Sequence, residues 1–193
     1  MSLSEIIATD QLELRPRPRP RRHDGNPGIG LVPRVVPQEG VSLRDALRAR
    51  CEEALLRCAA QSAGISIFDN NDLDELTWAA TAGALAPYEG RRFPRSDSPC
   101  GICFSYRSTQ LFIQPHLYFH WMADNDVFIN EALVAPLIGQ FGAFYGTIWV
   151  MSHDDPDIHF NLDDADTLAD LSRGLASTIR LNDAARNPDG RAV

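Results

Sequence analysis

Four groups of residues hold side chains that can do chemistry at spacings that let them act together. Cys100-x-x-Cys103 has the spacing of a dithiol redox pair or of half a zinc site. Zinc needs a second pair of ligands, and redox motifs of this spacing follow parallel βαβ units. The simpler reading makes Cys100 a compact buried side chain and Gly101 a backbone requirement. A thiol at a helix start, with its pKa lowered, is the reactive alternative. His116-x-x-x-His120, interleaved with Tyr118, Phe119 and Trp121, puts two imidazoles on one face if a single helix covers both. A third ligand such as Asp124 is not obviously placed, and a surface turn with aromatic anchors uses the same residues. His153, Asp154, Asp155, Asp157 and His159 crowd one stretch that can collect a divalent cation or, more simply, serve as turn and cap residues. Finally, Trp78, Trp149, Phe104 and Tyr118 are the side chains to wall a planar ligand, although each taken singly packs equally well in a dry core.

Composition narrows the chemistry these groups can belong to. The chain has 193 residues with 44% apolar, 23% charged and 8% aromatic side chains, enough for one core plus tails. Eighteen basic against 26 acidic residues give a net charge of −8, which disfavours nucleic acid or an anionic membrane as partner. All 18 basic residues are Arg, so Schiff-base chemistry and the phosphate-loop lysine are excluded. No run approaches the roughly 20 apolar residues of a membrane span, and no basic start leads into an apolar run; a cytoplasmic protein with reduced thiols is the expectation.

The elements that must position these side chains read as one domain between two tails. Residues 1–40, with five Arg in the alternating Arg-Pro stretch 15–22, read as a flexible arm, and 186–193 as a disordered tail. From residue 41 onward 12 Arg face 21 acids, so arm and domain differ in sign. Ser42 caps a helix from Leu43 to about Ala60 with Leu47, Ala54, Leu55 and Cys58 near helical spacing. Ala63 to Phe68, an acidic turn, and Leu76 to Ala82 form a hairpin. Gly83 to Pro99 is a long loop, and Ser98-Pro99 opens a short helix to Tyr106. Leu111 to Gln114 is a strand, Pro115 starts a turn, and Ala132 to Ile138 with Gly146 to Ser152 make a second hairpin. Asn161 to Asp164 cap a terminal helix carrying Leu168, Leu171, Leu175 and Ile179 on one side. The order is that of an α+β fold, an antiparallel sheet with helices packed on it.

Several ordered segments together resemble a family. Ser62-Ala63-Gly64-Ile65-Ser66, Ala80-Thr81-Ala82-Gly83, Ala86-Pro87-Tyr88, Pro94-Arg95, Ser98-Pro99-Cys100-Gly101 and Gly146-Thr147-Ile148-Trp149-Val150 before His153-Asp154 resemble GAF domains, over about residues 41–185. The resemblance is strongest to the sensory GAF modules of bacterial histidine kinases and related signalling proteins. It implies a central antiparallel sheet of five to six strands with helices on its faces. It also implies a small-molecule pocket under the crossover loops and a homodimer through terminal helices. The ligand-binding residues it suggests are Trp78, Cys100, Phe104, Tyr118 and Trp149.

Departures from the family pattern bear on function. The cyclic-nucleotide signature of some GAF domains is incomplete: Phe160 and Asp164 match its end, Ala165 replaces a Glu, and no Lys exists. Bilin-binding members carry a Cys usually followed by His, whereas Gly101 follows Cys100 and Phe104 follows Cys103. The GAF-like free methionine sulfoxide reductases carry a Cys-Gly resembling Cys100-Gly101, but their further reactive Cys has no counterpart in 121–130. The leading expectation is therefore a non-catalytic sensory module that binds a small ligand or a signalling protein, with no cofactor or metal identified by the sequence. The alternative is a sulfoxide reductase or thiol redox sensor using Cys100 and Cys103, and it requires both thiols to be accessible.

Overall fold

Strand alternation divides this chain into two cores. The computed structural model describes residues 6–8, 42–69, 72–153, 155 and 157–186. Within them the strands are β1 (Ile6–Ala8), β2 (Ser62–Asp69), β3 (Asp72–Gly83), β4 (Arg92–Pro94), β5 (Gln110–Ile113), β6 (Glu131–Ile138) and β7 (Phe144–Ser152). The helices are α1 (Leu43–Arg57), α2 (Pro99–Tyr106), α3 (His120–Asp124) and α4 (Leu162–Arg186). The strands form one antiparallel sheet in the order β1-β5-β6-β7-β2-β3-β4, confirming the α+β class. Ile6–Ala8 pairs with β5 at the sheet edge, within the stretch read from sequence as an arm without elements. The remainder of that arm and the tail at 187–193 lie outside the described residues.

Because successive strand side chains point to opposite faces, the strands send two sets of residues to two covers. Ala63 and Ile65 of β2, Ala80 and Ala82 of β3, Leu133, Ala135 and Leu137 of β6, and Ile148 and Val150 of β7 face α1 and α4. Leu47, Ala54 and Cys58 on and beside α1 and Leu168, Leu171, Leu175 and Ile179 of α4 close that core, as the helical spacing predicted, and Cys51 joins them. The small residues on β2 and β3 let α1 lie close to the sheet. The alternate positions Val134, Trp149 and Met151 face α2, α3 and the long connections in a second core dominated by aromatics, joined by Leu76 and Trp78 of β3, which a register shift opposite Ile65 and Ser66 turns to the other face from Ala80 and Ala82. No described helix is long and apolar enough to cross a membrane.

The helix starts follow the caps written in the sequence. The Ser42 hydroxyl accepts from Asp45 N–H at 3.1 Å, and Ser98 accepts from Gly101 N–H at 3.1 Å with Pro99 in the first helical position. At α4 the Asn161 side chain accepts from Asp163 and Asp164 N–H groups, while Asp164 accepts from Asn161 N–H, a reciprocal cap. Two elements depart from the sequence reading. The long loop contains the edge strand β4, paired with residues 75–77 of β3; at three residues ending in Pro94 it carries too little alternation to be read. The stretch 115–124 is not one helix: a 3-10 turn at Pro115–Leu117 ends before His120 opens α3.

One close approach fixes the second core. A Cβ on Gly64 would fall 2.1 Å from the Trp149 ring, so only glycine lets the indole cross β2. Gly64→Ala should cost roughly 1–3 kcal/mol in urea unfolding. Gly64→Ala combined with Trp149→Phe should lose less than the sum of the two single changes, because the second relieves the clash made by the first.

Candidate functional site

The aromatic face brings the five sequence-predicted residues into one cluster. Trp78 and Trp149 are buried with ring centroids 4.7 Å apart, on cross-sheet positions of β3 and β7 either side of β2. Cys100, from the first turn of α2, is buried against the same face, and the half-buried Phe104 and Tyr118 pack at its margin. Phe104 forms a trio with Phe68 and Phe144 at centroid distances of 4.7–5.5 Å. Sequence reasoning missed three further rings. Phe93 of β4 stacks at 4.6 Å on Trp78 and 4.2 Å on Trp121, Trp121 of α3 sets its edge against Trp78 at 5.7 Å, and Tyr88 closes the side at 6.2 Å. Tyr88 stood in the quoted family motif and Trp121 in the aromatic run around His120. Neither position discloses that both converge on Trp78.

A small polar group lies between these two sets of rings. The Trp149 Nε1–H donates to Ser66 Oγ at 3.0 Å, and Ser66 Oγ lies 3.4 Å from Cys100 Sγ. Ser66 and Thr147 are opposite each other on β2 and β7, so the Thr147 hydroxyl faces the same group. Burial pushes the Cys100 thiol up, with the Ser66 and Thr147 hydroxyls opposing that shift by favouring the thiolate. Apart from that approach to the Cys100 thiol, Thr147 Oγ1 has no hydrogen-bond partner, and Trp121 Nε1 has none at all; both atoms are buried. These are the two orphaned buried side-chain polar atoms among the described residues, and both side chains belong to the aromatic face.

The candidate metal arrangements come apart in three dimensions. His116 Nδ1 sits 2.9 Å from Ile129 O and 3.2 Å from Ile129 N, bracing the segment before β6. His120, at the start of α3, is exposed and faces Asp97 at 3.7 Å. In the 153–159 stretch, His153 lies 2.8 Å from Ser62 Oγ through Nε2 and 2.9 Å from Phe128 O through Nδ1. His159 Nδ1 meets the buried Glu131 carboxylate at 2.8 Å, and Asp155 accepts from Asp157 N–H as a turn residue does. Asp154 lies outside the described residues. These imidazoles tie loops to strand ends; among the described residues no three metal-ligating side chains converge.

No family model matches the chain, and no curated protein matches it. Solved structures do. The second GAF domain of DevS from Mycobacterium smegmatis is 19% identical, with a TM-score of 0.62 over 77% of this chain and 100% of that one. The GAF domain of a phosphoenolpyruvate-protein phosphotransferase from Coxiella burnetii is 19% identical at TM-score 0.65, covering 78% of this chain and 88% of that one. The blue-light-absorbing form of the Thermosynechococcus elongatus PixJ GAF domain is 14% identical at 0.59, over 75% and 89%. The chain has the GAF fold. Identity below one fifth carries the architecture and nothing finer, so the site is argued from this chain's own residues.

Within this fold the Cys100–Cys103 pair is not a poised dithiol. Both side chains are buried and unbridged, one turn apart on α2. The Cys103 thiol donates to the Ser108 and Val134 carbonyls, and its pKa is raised by burial and then by neighbouring Cys100. A protonated, enclosed sulfur is not the nucleophile that sulfoxide reduction or thiol sensing requires. Gly101 is the backbone requirement anticipated: a Cβ there would lie 1.9 Å from Arg95 O. Native protein should therefore react with a thiol-specific aromatic disulfide at least about tenfold more slowly than a free cysteine, with all four thiols released in denaturant. Rapid titration of two thiols in the native state would restore the redox alternative.

Proposed function

We propose that this chain is a non-catalytic sensory GAF module of bacterial signal transduction whose aromatic face holds a small organic ligand. The observation that carries this reading is the unpartnered buried Trp121 Nε1, together with a Thr147 hydroxyl that meets only the Cys100 thiol, within a face rich in aromatic side chains. Leaving a buried donor or hydroxyl unpaired costs about 1–3 kcal/mol each, a cost that a polar atom of a bound molecule removes. Trp121 supplies only a donor, so the matching ligand presents an acceptor there. The surrounding rings suit a planar or largely apolar body, and Cys100 acts as a compact wall atom. The fold relatives include a GAF domain with a blue-light-absorbing form, which agrees with a sensory role. In this reading the module works as a cytoplasmic homodimer and passes its state to a protein partner, because a ligand acts only through its different affinity for two states.

Native mass spectrometry of the full chain as purified, compared with the same sample denatured, tests the proposal. A retained non-covalent small molecule is expected. Thr147→Val keeps the side-chain shape while removing the hydroxyl. It should lower ligand occupancy by about fivefold, the worth of one hydrogen bond, and leave unfolding of the bare protein unchanged or slightly improved. A bare mass, or occupancy indifferent to Thr147→Val together with Trp121→Phe, contradicts the assigned site.

A further inference from the structure

Two consecutive residues of the 84–94 segment face opposite sides of the sheet edge. Tyr88 belongs to the aromatic face: its ring lies by Trp78, its hydroxyl donates to Asn125 O at 3.1 Å, and the Arg91 guanidinium lies 4.6 Å over it while reaching Asn125 Oδ1 at 3.3 Å. Glu89 goes the other way, to α1. Its carboxylate accepts from Arg44 Nε at 2.9 Å and Nη2 at 2.5 Å, and from Arg48 Nη2 at 3.0 Å to each oxygen. Thr81 N–H adds a contact at 3.4 Å. The two arginines are one turn apart on α1, so both guanidiniums converge on one carboxylate whose side chain is only 11% exposed. Burial works to raise the Glu89 pKa, but the hydrogen bonds from Arg44, Arg48 and Thr81 outweigh it and hold the group below the ordinary carboxylate value. The pivot between the two residues is Trp78. Its N–H donates to Arg91 O at 3.0 Å and its carbonyl accepts from Gly90 N–H at 2.8 Å, so the backbone beside Tyr88 and Glu89 is hydrogen-bonded to the residue whose ring centres the aromatic cluster.

We infer that Tyr88 and Glu89 form a lever across the sheet edge, by which displacement of Tyr88 from the aromatic cluster withdraws Glu89 from Arg44 and Arg48 and loosens the first turns of α1. As the regulation of the proposed ligand site, this rests on the reading of the aromatic face as that site. The mechanical link itself needs no ligand. Bidentate charge-assisted contacts are directional, so a small shift of the segment breaks them rather than stretching them. Since α1 packs beside α4 on the far face, the lever joins the loop-side cluster to the helix layer without passing through the sheet.

Hydrogen–deuterium exchange of the full-length protein, resolved by peptide, tests the link from both ends. Glu89→Gln is isosteric and keeps an acceptor for Thr81; it should speed exchange at residues 86–91 and at 46–50 by roughly tenfold while leaving β6, β7 and α4 unchanged. Arg48→Gln should reproduce the effect from the helix side. The decisive variant is Tyr88→Phe, which removes only the bond to Asn125 and touches neither Glu89 nor α1: it should still speed exchange at 46–50. If Tyr88→Phe alters only residues 86–91, or if the variants loosen the whole domain evenly, the lever is overturned. A bare protein in native mass spectrometry together with coupled exchange would remove the ligand and leave the lever standing.

Discussion

The indole of Trp149 governs the loop-side half of this domain. It occupies the space that a side chain on Gly64 would take, and its N–H is fixed on Ser66 Oγ. From that placement follow the others: Trp78 meets it across β2, Ser66 is left to approach Cys100, and α2 must sit where Cys100 closes the polar group. A smaller residue at 149 would remove the floor on which Trp78, Phe93 and Trp121 are stacked. The interaction is local in energy but global in consequence, since packed interiors answer a change of shape by rearranging neighbours rather than by compressing.

The two faces of the sheet do different work. The helix side is aliphatic and alanine-rich, with α1 and α4 lying over small strand residues, and such a surface specifies close, rigid packing. The loop side is aromatic, covered by short helices and connections, and it holds both orphaned buried polar atoms among the described residues. Buried polar atoms without partners are tolerated where a function uses them, and their confinement to one face is the ground of the proposed ligand site. The Tyr88–Glu89 pair is the place where the two faces are joined by side chains rather than by the sheet.

Much of the architecture was legible because its determinants are local. Ser42, Ser98-Pro99 and Asn161 are caps whose partners lie two or three residues away, and the two apolar runs read as a hairpin do pair, as β6 and β7. The resemblance carried by the Ser62–Ser66, Ser98–Gly101 and Gly146–Val150 segments led to the right fold, and the five residues it suggested all belong to or pack against the loop-side core. What was not legible is long-range. Ser66 with Cys100, Glu89 with Arg44 and Arg48, and Trp121 with Phe93 join positions 28 to 45 residues apart in pairs that no spacing rule encodes. The His116–His120 spacing offered a metal pair only if one helix covered both residues; Pro115 starts a turn that Tyr118 ends, so that helical face never forms. Cys100-x-x-Cys103 misled for a different reason: spacing reports reach, whereas reactivity depends on burial, which only the tertiary structure discloses.

The most direct test of the central claim is a crystal structure of the protein as purified, at a resolution that separates a bound organic molecule from water. The account predicts continuous density larger than a water molecule within hydrogen-bond distance of Trp121 Nε1 or Thr147 Oγ1, seated between the Trp78–Phe93 and Phe68–Phe104 rings. Rings closed on one another, with those two atoms touching nothing but ordered water, would contradict it.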